Sequence, residues 1–134
     1  MIVVDTNVLA YLLIGGPQTA FARRALLKDP EWSAPLLWRS EFRSVMSLYM
    51  RKGVLDFKGA LRLAGEAEEV MKNREYCVDT SEVMRLVGVT PLSAYDCEFL
   101  ALALRLRLPL VTTDAQLLRA SPDIAVSLQE FSQS

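Results

Sequence analysis

Ile2-Val3-Val4-Asp5-Thr6-Asn7-Val8-Leu9 and Leu110-Val111-Thr112-Thr113-Asp114 share one pattern. In each segment a short apolar run, of the kind that forms a buried strand, leads directly into an aspartate. Ligands of parallel α/β sheets bind at the carboxyl ends of strands, because loops and helix N-termini gather there. An aspartate in this position also caps the following helix in many proteins. Two aspartates at equivalent strand ends favour a shared site over two independent caps.

The rest of the chain alternates strand-like and helix-like segments, which predicts an α/β layer structure. Strands are predicted at Ile2–Val4, Glu31–Ala34, Tyr76–Val78, Leu110–Thr112 and Ile124–Leu128. Helices are predicted at Val8–Ile14 with Asn7 as cap, Gln18–Leu27, Leu37–Lys52, Asp56 or Phe57 to Met71, Ser81–Val87 and Ala94–Leu106, with a helical turn or short helix at Asp114–Arg119. The chain has 134 residues, which fits one domain. The helix Ala94–Leu106 is apolar all round, so we expect it to be buried on most sides.

Composition excludes several classes of protein. Half of the residues (51%) are hydrophobic, which supports a packed core. There is no histidine, so histidine-based acid–base catalysis, Ser-His-Asp triads and histidine metal sites are excluded. No Gly-rich nucleotide-binding motif occurs. The longest apolar run, Val8 to Ile14, is too short to cross a membrane, and the first residues lack a basic signal-peptide region. We expect a soluble cytoplasmic protein with no membrane partner.

Charge and cysteine content give weaker indications. Cys77 and Cys97 are the only cysteines and are interpreted as reduced thiols that pack as small apolar residues. The formal net charge is −1. If four of the 16 acidic residues share a metal site, 12 remain against 15 basic residues, a balance compatible with a phosphate backbone as ligand.

Two further acids occur on predicted helices. Glu41 lies in the amphipathic helix Leu37–Lys52, with Ser44 one turn along on the same face. The simplest interpretation of Glu41 is a solvated residue that pairs with Arg39 or Arg43. Asp96 opens the apolar helix, where its charge suits the helix dipole. Glu98 is about 200° around that helix from Asp96, so we do not expect it to act with Asp96.

Taken together, four segments resemble the successive motifs of the PIN-domain family. They are Val3–Leu9, Pro35–Glu41, Tyr95–Ala103 and Leu110–Asp114, and they occur in the family's order across residues 2–128. The similarity is greatest to the VapC-type toxins of prokaryotic toxin–antitoxin pairs. The resemblance implies a PIN-like three-layer fold, with a central, mostly parallel sheet flanked by helices, over a single domain of residues 1–134.

The resemblance also implies a set of site residues. The positions that match the family's catalytic and metal-binding acids are Asp5, Glu41, Asp96 and Asp114. Thr112 matches a hydroxyl residue of the last motif, and Asn7 and Ser44 occupy positions where the family often has polar residues near the metal. Many relatives carry a further acid close to the position of Asp114. Here Ala115 and Gln116 follow Asp114 instead, so occupancy of a second metal position is left open.

The chemistry of the four acids points to a hard cation. Carboxylates crowded in one pocket repel each other unless a cation neutralises them. Oxygen ligands without nitrogen or thiolate favour Mg²⁺, with Mn²⁺ as a substitute. Such an ion can activate a water molecule and stabilise charge on a phosphate. The resemblance therefore implies a Mg²⁺/Mn²⁺-dependent endoribonuclease, the toxin of a VapBC-like pair, with RNA as substrate, an antitoxin protein as partner and a homodimeric assembly. Asp5, Asp96 and Asp114 are interpreted as ligands, and Glu41 as a ligand or the group that orients the attacking water.

Residues that contact RNA are harder to identify. Basic candidates on the helix that carries Glu41 are Arg39, Arg43, Arg51 and Lys52, although a solvated helix face explains any one of them. Trp32, Trp38 and Tyr95 are aromatic candidates for stacking on bases, with apolar packing as the alternative.

Three other functions are compatible with parts of the pattern. One is a PIN-like module that binds RNA or protein without cutting, and another is a solitary PIN nuclease in RNA processing. The third is a phosphatase of the haloacid dehalogenase type, in which an aspartate also follows the first strand. That fold requires Asp-x-Asp, and Asn7 lacks the carboxyl group that transfers the proton.

Overall fold

The computed structural model describes residues 1–134 as five strands and eight helices. The strands are β1 (Ile2–Val4), β2 (Trp32–Pro35), β3 (Glu75–Tyr76), β4 (Leu110–Thr112) and β5 (Ala125–Ser127). The helices are α1 (Thr6–Leu13), α2 (Thr19–Lys28), α3 (Leu37–Arg51), α4 (Phe57–Met71), α5 (Thr80–Val89), α6 (Ala94–Leu106), α7 (Ala115–Ala120) and α8 (Leu128–Gln133).

All five strands are parallel and lie in the order β3-β2-β1-β4-β5. Val3 of the central strand pairs with Ser33 on one side and with Leu110 on the other. Along the chain, β2 and β3 follow β1 on one side of it, and β4 and β5 then lie on the other side of β1. The order therefore reverses between β1 and β4, and ligands of open α/β sheets bind at such a point. The predicted α/β fold with a central sheet flanked by helices is confirmed.

The helix that follows β1 begins earlier than predicted. Asp5, not Asn7, is its N-cap, because the Asp5 side chain accepts a hydrogen bond from the backbone N–H of Thr6. The aspartate after β4 acts in the same way, since Asp114 accepts from the N–H groups of Gln116 and Leu117. Both aspartates thus cap helices. This role does not exclude a shared site, so the two interpretations of these aspartates are compatible.

Two other predictions were wrong in detail. The third strand is Glu75–Tyr76 and not Tyr76–Val78. The last predicted strand ends at Ser127, and its Leu128 begins the unpredicted helix α8. Ser127 caps α8 by accepting from the N–H of Glu130. Leu128 is fully buried, so α8 is held by packing that its short sequence does not reveal.

The core lies between the sheet and the helices that cover it. Helix α6 contacts β1, β2 and β4, and its residues from Phe99 to Ala103 are buried, as predicted. Trp32, Trp38, Phe42 and Phe99 are the bulkiest fully buried or nearly fully buried side chains. No single helix has the length and apolar character that crossing a membrane requires; α5 and α6, bent by 112°, pass that test only as a pair.

Candidate metal-binding cleft

One cleft of about 260 Å³ opens at the carboxyl ends of β1 and β4. It is lined by the four predicted acids, by two of the predicted polar residues and by two neighbours: Asp5, Glu41, Asp96, Asp114, Asn7, Ser44, Thr6 and Val45. Thr112 is the seventh predicted residue and lies beneath the cleft, fully buried. Side chains from four distant parts of the chain therefore share one surface at the sheet's edge.

Asp5 forms the floor of the cleft. It is 8% exposed, and each of its carboxylate oxygens already accepts one hydrogen bond. Oδ1 accepts from the N–H of Thr6 at 2.8 Å, and Oδ2 accepts from the hydroxyl of Thr112 at 2.8 Å. The Thr112 hydroxyl in turn accepts from the N–H of Asp114 at 3.0 Å. Thr112 thus links the carboxylate of Asp5, directly after β1, to the loop after β4. Each Asp5 oxygen keeps a lone pair for a ligand.

Glu41 faces Asp5 from the first turns of α3. Its Oε1 accepts a hydrogen bond from the Thr6 hydroxyl at 2.7 Å. No ion pair involves Glu41, so the interpretation that it pairs with Arg39 or Arg43 is wrong. Arg39 instead pairs with Glu75 and Glu68, at N–O distances of 2.6 and 2.5 Å. The Oε2 atom of Glu41 has no protein partner and is free for a ligand.

Asp96 and Asp114 complete the acidic lining at the starts of two helices. Asp96 lies in the first turn of α6, which Ser93 caps by accepting from the N–H of Asp96. Asp114 caps α7 through Oδ1 and leaves Oδ2 unpaired. Since α1 also begins at the cleft, three helix N-termini converge there. Their partial positive charges favour the carboxylates that lie there.

The cleft acids destabilise one another's charged forms. Burial raises the pKa of Asp5, and the charges of Asp96 and Asp114 raise it further against the hydrogen bonds of Thr112 and Thr6. Burial also raises the pKa of Glu41, with contributions from the Asp5, Asp96 and Glu98 charges. The pKa of Asp96 is raised by burial and by Asp114. No lysine or arginine lines the cleft to compensate for this charge.

Glu98 is closer to the site than its helical position suggested. It does not line the cleft, but its charge contributes to the raised pKa of Glu41. The expectation that Glu98 does not act with Asp96 considered only the positions of these two residues on α6. The influence of Glu98 on Glu41 acts between α6 and α3, which the sequence of α6 could not indicate.

The donor set suits a hard divalent cation. Every charged ligand is a carboxylate oxygen, and the repulsion that raises the three pKa values is relieved when a cation enters. As placed, no three of the acids are close enough to hold one ion together. Ion binding therefore requires the carboxylates to move closer together, and the open cleft leaves room for the partly exposed side chains of Asp96 and Asp114 to rotate.

Thr6 is the site residue that sequence reasoning missed. It is 4% exposed and contacts two of the acids, Asp5 through its N–H and Glu41 through its hydroxyl. Its position directly after the first-strand aspartate was visible in the sequence. Its partner is 35 residues away on another element, however, and only the packing of α1 against α3 reveals the contact.

Two of the residues considered for stacking on RNA are excluded by burial. Trp32 and Trp38 are 0% and 2% exposed and belong to the core. The guanidinium of Arg39 is occupied by Glu75 and Glu68, so it is unavailable to a phosphate. Tyr95, Arg43, Arg51 and Lys52 are exposed.

Comparison with known families identifies the fold. The PIN domain model matches residues 2–121. The chain belongs to the PIN-domain family. Its order of motifs, the parallel sheet and the acidic cleft at the β1–β4 switch point agree with that assignment.

Two solved structures are similar to this PIN domain over nearly their whole length. PAE2754 from Pyrobaculum aerophilum is 21% identical with a TM-score of 0.77, covering 98% of this chain and 92% of the other. A toxin–antitoxin complex from Klebsiella pneumoniae contains a chain that is 20% identical with a TM-score of 0.70, covering 96% and 98%. At this level of identity the likeness concerns the fold. No curated protein matches the chain.

Proposed function

We propose that this PIN domain is a divalent-metal-dependent endoribonuclease that hydrolyses RNA phosphodiester bonds. The observation that carries the proposal is the cleft itself. Four carboxylates from β1, α3, α6 and the loop after β4 line one surface, three of them with raised pKa values, and no basic side chain of the protein neutralises them. Clusters of buried, uncompensated titratable groups are typical of functional sites.

The four acids are proposed to hold Mg²⁺, or Mn²⁺ in its place. Asp5, Asp96 and Asp114 act as ligands, and Glu41 is a ligand or orients the attacking water. When bound, the cation neutralises the carboxylates, activates water and stabilises the negative charge that develops on the phosphate. Thr112 holds Asp5 in position, and the polar side chains of Asn7 and Ser44 line the approach to the cation.

We further propose that the protein is the toxin of a VapBC-like toxin–antitoxin pair. The sequence motifs support this, and so does the fold shared with a chain of a toxin–antitoxin complex. The proposal includes an antitoxin protein as partner and a homodimeric assembly. A short open reading frame that overlaps the start of the gene would support the toxin assignment over a solitary PIN nuclease.

The nuclease proposal is tested with purified protein, RNA and MgCl₂ or MnCl₂. Asp5→Asn and Asp114→Asn should each abolish RNA cleavage and relieve growth inhibition in expressing cells, with unchanged circular dichroism. Asp123→Asn is the matched control, because Asp123 is an exposed acid away from the cleft. Cleavage that persists in excess EDTA, or in the double variant, would refute the metal mechanism. RNA binding without cleavage by the wild type would favour a non-catalytic module.

A further inference from the structure

The end of α3, the turn that follows it and the first two turns of α4 carry positive charge that forms no ion pair. Its basic side chains are exposed and none takes part in an ion pair: Arg51, Lys52, Lys58 and Arg62. The only acid between residues 51 and 62 is Asp56. Its carboxylate caps α4 by accepting from the N–H of Gly59 at 2.7 Å. We call these four cations, together with Phe57, the basic turn.

The backbone of the basic turn is well defined. Gly53 has a φ of 74°, a left-handed conformation that suits glycine, and its N–H donates to Met50 at 3.0 Å. The N–H of Val54 donates to Tyr49 at 3.0 Å, and Leu55 packs against the core. The side chains of Lys58 and Arg62 border a shallow concavity beside this turn. The charges are therefore presented on a fixed scaffold.

An exposed aromatic ring lies among the cations. Phe57 is 67% exposed at the start of α4, between Asp56 and Lys58 in sequence. Burial in the core does not explain this ring. Surfaces that combine unpaired cations with exposed aromatic rings bind single-stranded nucleic acid, because the cations contact phosphates while bases stack on the rings.

Helix α3 connects the cleft to the basic turn. Glu41, Ser44 and Val45 line the cleft, and helical spacing places Leu48 and Lys52 further along the same face. Leu48 is 56% exposed, so this face is open to solvent. The stretch of α3 from Glu41 to the last residue of the helix spans about 15 Å, which is within the reach of a short oligonucleotide.

We infer that the basic turn is the RNA-docking surface of the nuclease, holding the single strand that enters the acidic cleft. This inference rests on the proposed function. The cleft itself repels phosphates in the absence of a cation, so most of the electrostatic attraction for RNA must come from outside it. The basic turn supplies four unpaired cations and a stacking surface at the other end of the helix that carries Glu41.

Fluorescence anisotropy tests the inference with a labelled single-stranded RNA oligonucleotide, measured in EDTA over a range of KCl concentrations. Substitution of all four cations by glutamine should weaken binding at least tenfold. The slope of log affinity against log salt should become shallower by about 0.7 for each phosphate that the variant no longer neutralises. Phe57→Ala should weaken binding about fivefold or more, through weaker stacking, with an unchanged salt slope.

The matched control removes four exposed cations elsewhere: Arg23→Gln, Arg24→Gln, Lys72→Gln and Arg107→Gln. It makes the same change in net charge and should leave the salt slope unchanged. Equal weakening in the two sets, or wild-type affinity in the basic-turn set, would overturn the inference. Wild-type protein that fails to cleave RNA with Mg²⁺ would instead refute the proposed function, whatever the result of the binding experiment.

A separate observation concerns Thr6. This buried residue contacts two acids of the cleft, with its N–H nitrogen 2.8 Å from Asp5 and its hydroxyl 2.7 Å from Glu41. The hydroxyl bond is the only hydrogen bond that Glu41's side chain makes. We propose that Thr6 is a positioning residue that aims the free Oε2 of Glu41 into the cleft, an inference that also rests on the proposed function.

Thr6→Val removes the hydroxyl at nearly constant shape, and Thr6→Ser retains it. Mn²⁺ affinity, measured by electron paramagnetic resonance of the free ion, should fall about tenfold in Thr6→Val, an effect typical of residues that orient metal ligands. Thr6→Ser should bind Mn²⁺ as the wild type does. Equal affinity in Thr6→Val and wild type, or equal weakening in both variants, would overturn the positioning role. A wild type that binds no Mn²⁺ would refute the metal site as a whole.

Discussion

Helix α3 separates two regions in which acidic side chains have different partners and opposite shifts of pKa. On one side Glu75 accepts two hydrogen bonds from Arg39 and a third from Trp38, and the Arg39 bonds lower its pKa. On the other side Glu41, two residues along from Arg39, has only the Thr6 hydroxyl as partner, and burial raises its pKa. We call the first region the arginine network.

The difference shows which acids stabilise the fold and which are available for binding. The arginine network contains its own cation, so its carboxylates are compensated in the folded protein. The cleft brings four carboxylates together and has no cation of its own, which lowers stability. Function and stability should therefore respond in opposite ways to substitutions in the two regions.

The largest expected effect is on catalysis. On the proposed function, Asp96→Asn should reduce RNA cleavage on the order of a thousandfold, because several kcal/mol of charge stabilisation would depend on the proposed metal ligands. The free energy of unfolding, measured by urea denaturation without metal, should not decrease. Asp79→Asn is the matched control, since Asp79 is an exposed acid that likewise lies at a helix start, before α5. A large drop in stability in Asp96→Asn would contradict the distinction between the regions.

The second prediction concerns the arginine network. Arg39→Met should lower the free energy of unfolding by about 2 kcal/mol, because Glu75 is left without its charged partner while remaining partly buried. The cleavage rate of the folded fraction should be unchanged. Arg85→Met, which breaks the exposed pair with Glu82, should cost only about 0.5 kcal/mol. Equal effects of the two substitutions would show that the network contributes no more than a surface ion pair.

The third prediction is an increase in stability. Glu41→Gln should raise the free energy of unfolding of the metal-free protein by about 1 kcal/mol near neutral pH, since it removes an uncompensated charge and keeps an oxygen for Thr6. It should also weaken Mn²⁺ binding. Glu66→Gln on the exposed face of α4 serves as the control and should change neither quantity. Destabilisation by Glu41→Gln would indicate that the charge of Glu41 is already compensated.

The smallest effect concerns pH. Asp5, Glu41 and Asp96 have raised pKa values, so the folded metal-free protein holds their protons more tightly than the unfolded chain. Their contribution to stability is fully present below the ordinary carboxyl pKa of about 4 and is lost as pH rises through the raised values. The increase in Tm produced by MnCl₂ should therefore grow between about pH 5 and pH 7. A pH-independent increase would argue against carboxylate ligands.

Local sequence patterns predicted most of the strands, and with the family resemblance they indicated the four acids that line the cleft, but not the partners of those acids. The strands β1 and β4 and the aspartates after them follow from hydrophobic runs that end in Asp5 and Asp114. The pairing of Arg39 with Glu68 and Glu75 could not be predicted, because its acids lie on α4 and β3. A sequence pattern reveals only residues close along the chain, so it suggested Arg39 or Arg43 as the partner of Glu41, although residues two apart on a helix do not face each other. Helix α8 was missed for a similar reason, since Leu128 is held by tertiary packing.

The position of β4 beside β1 also bears on biosynthesis. The hydroxyl of Thr112 and the carboxylate of Asp5 are 107 residues apart in sequence, yet they are hydrogen-bonded. A chain still emerging from the ribosome lacks this hydrogen bond, together with Asp114, until the residues as far as β4 have been translated. Contacts between such distant residues form late in folding, because a long loop must close first. The acidic cleft thus cannot be complete until both Asp5 and Asp114 have left the ribosome and the long loop between them has closed.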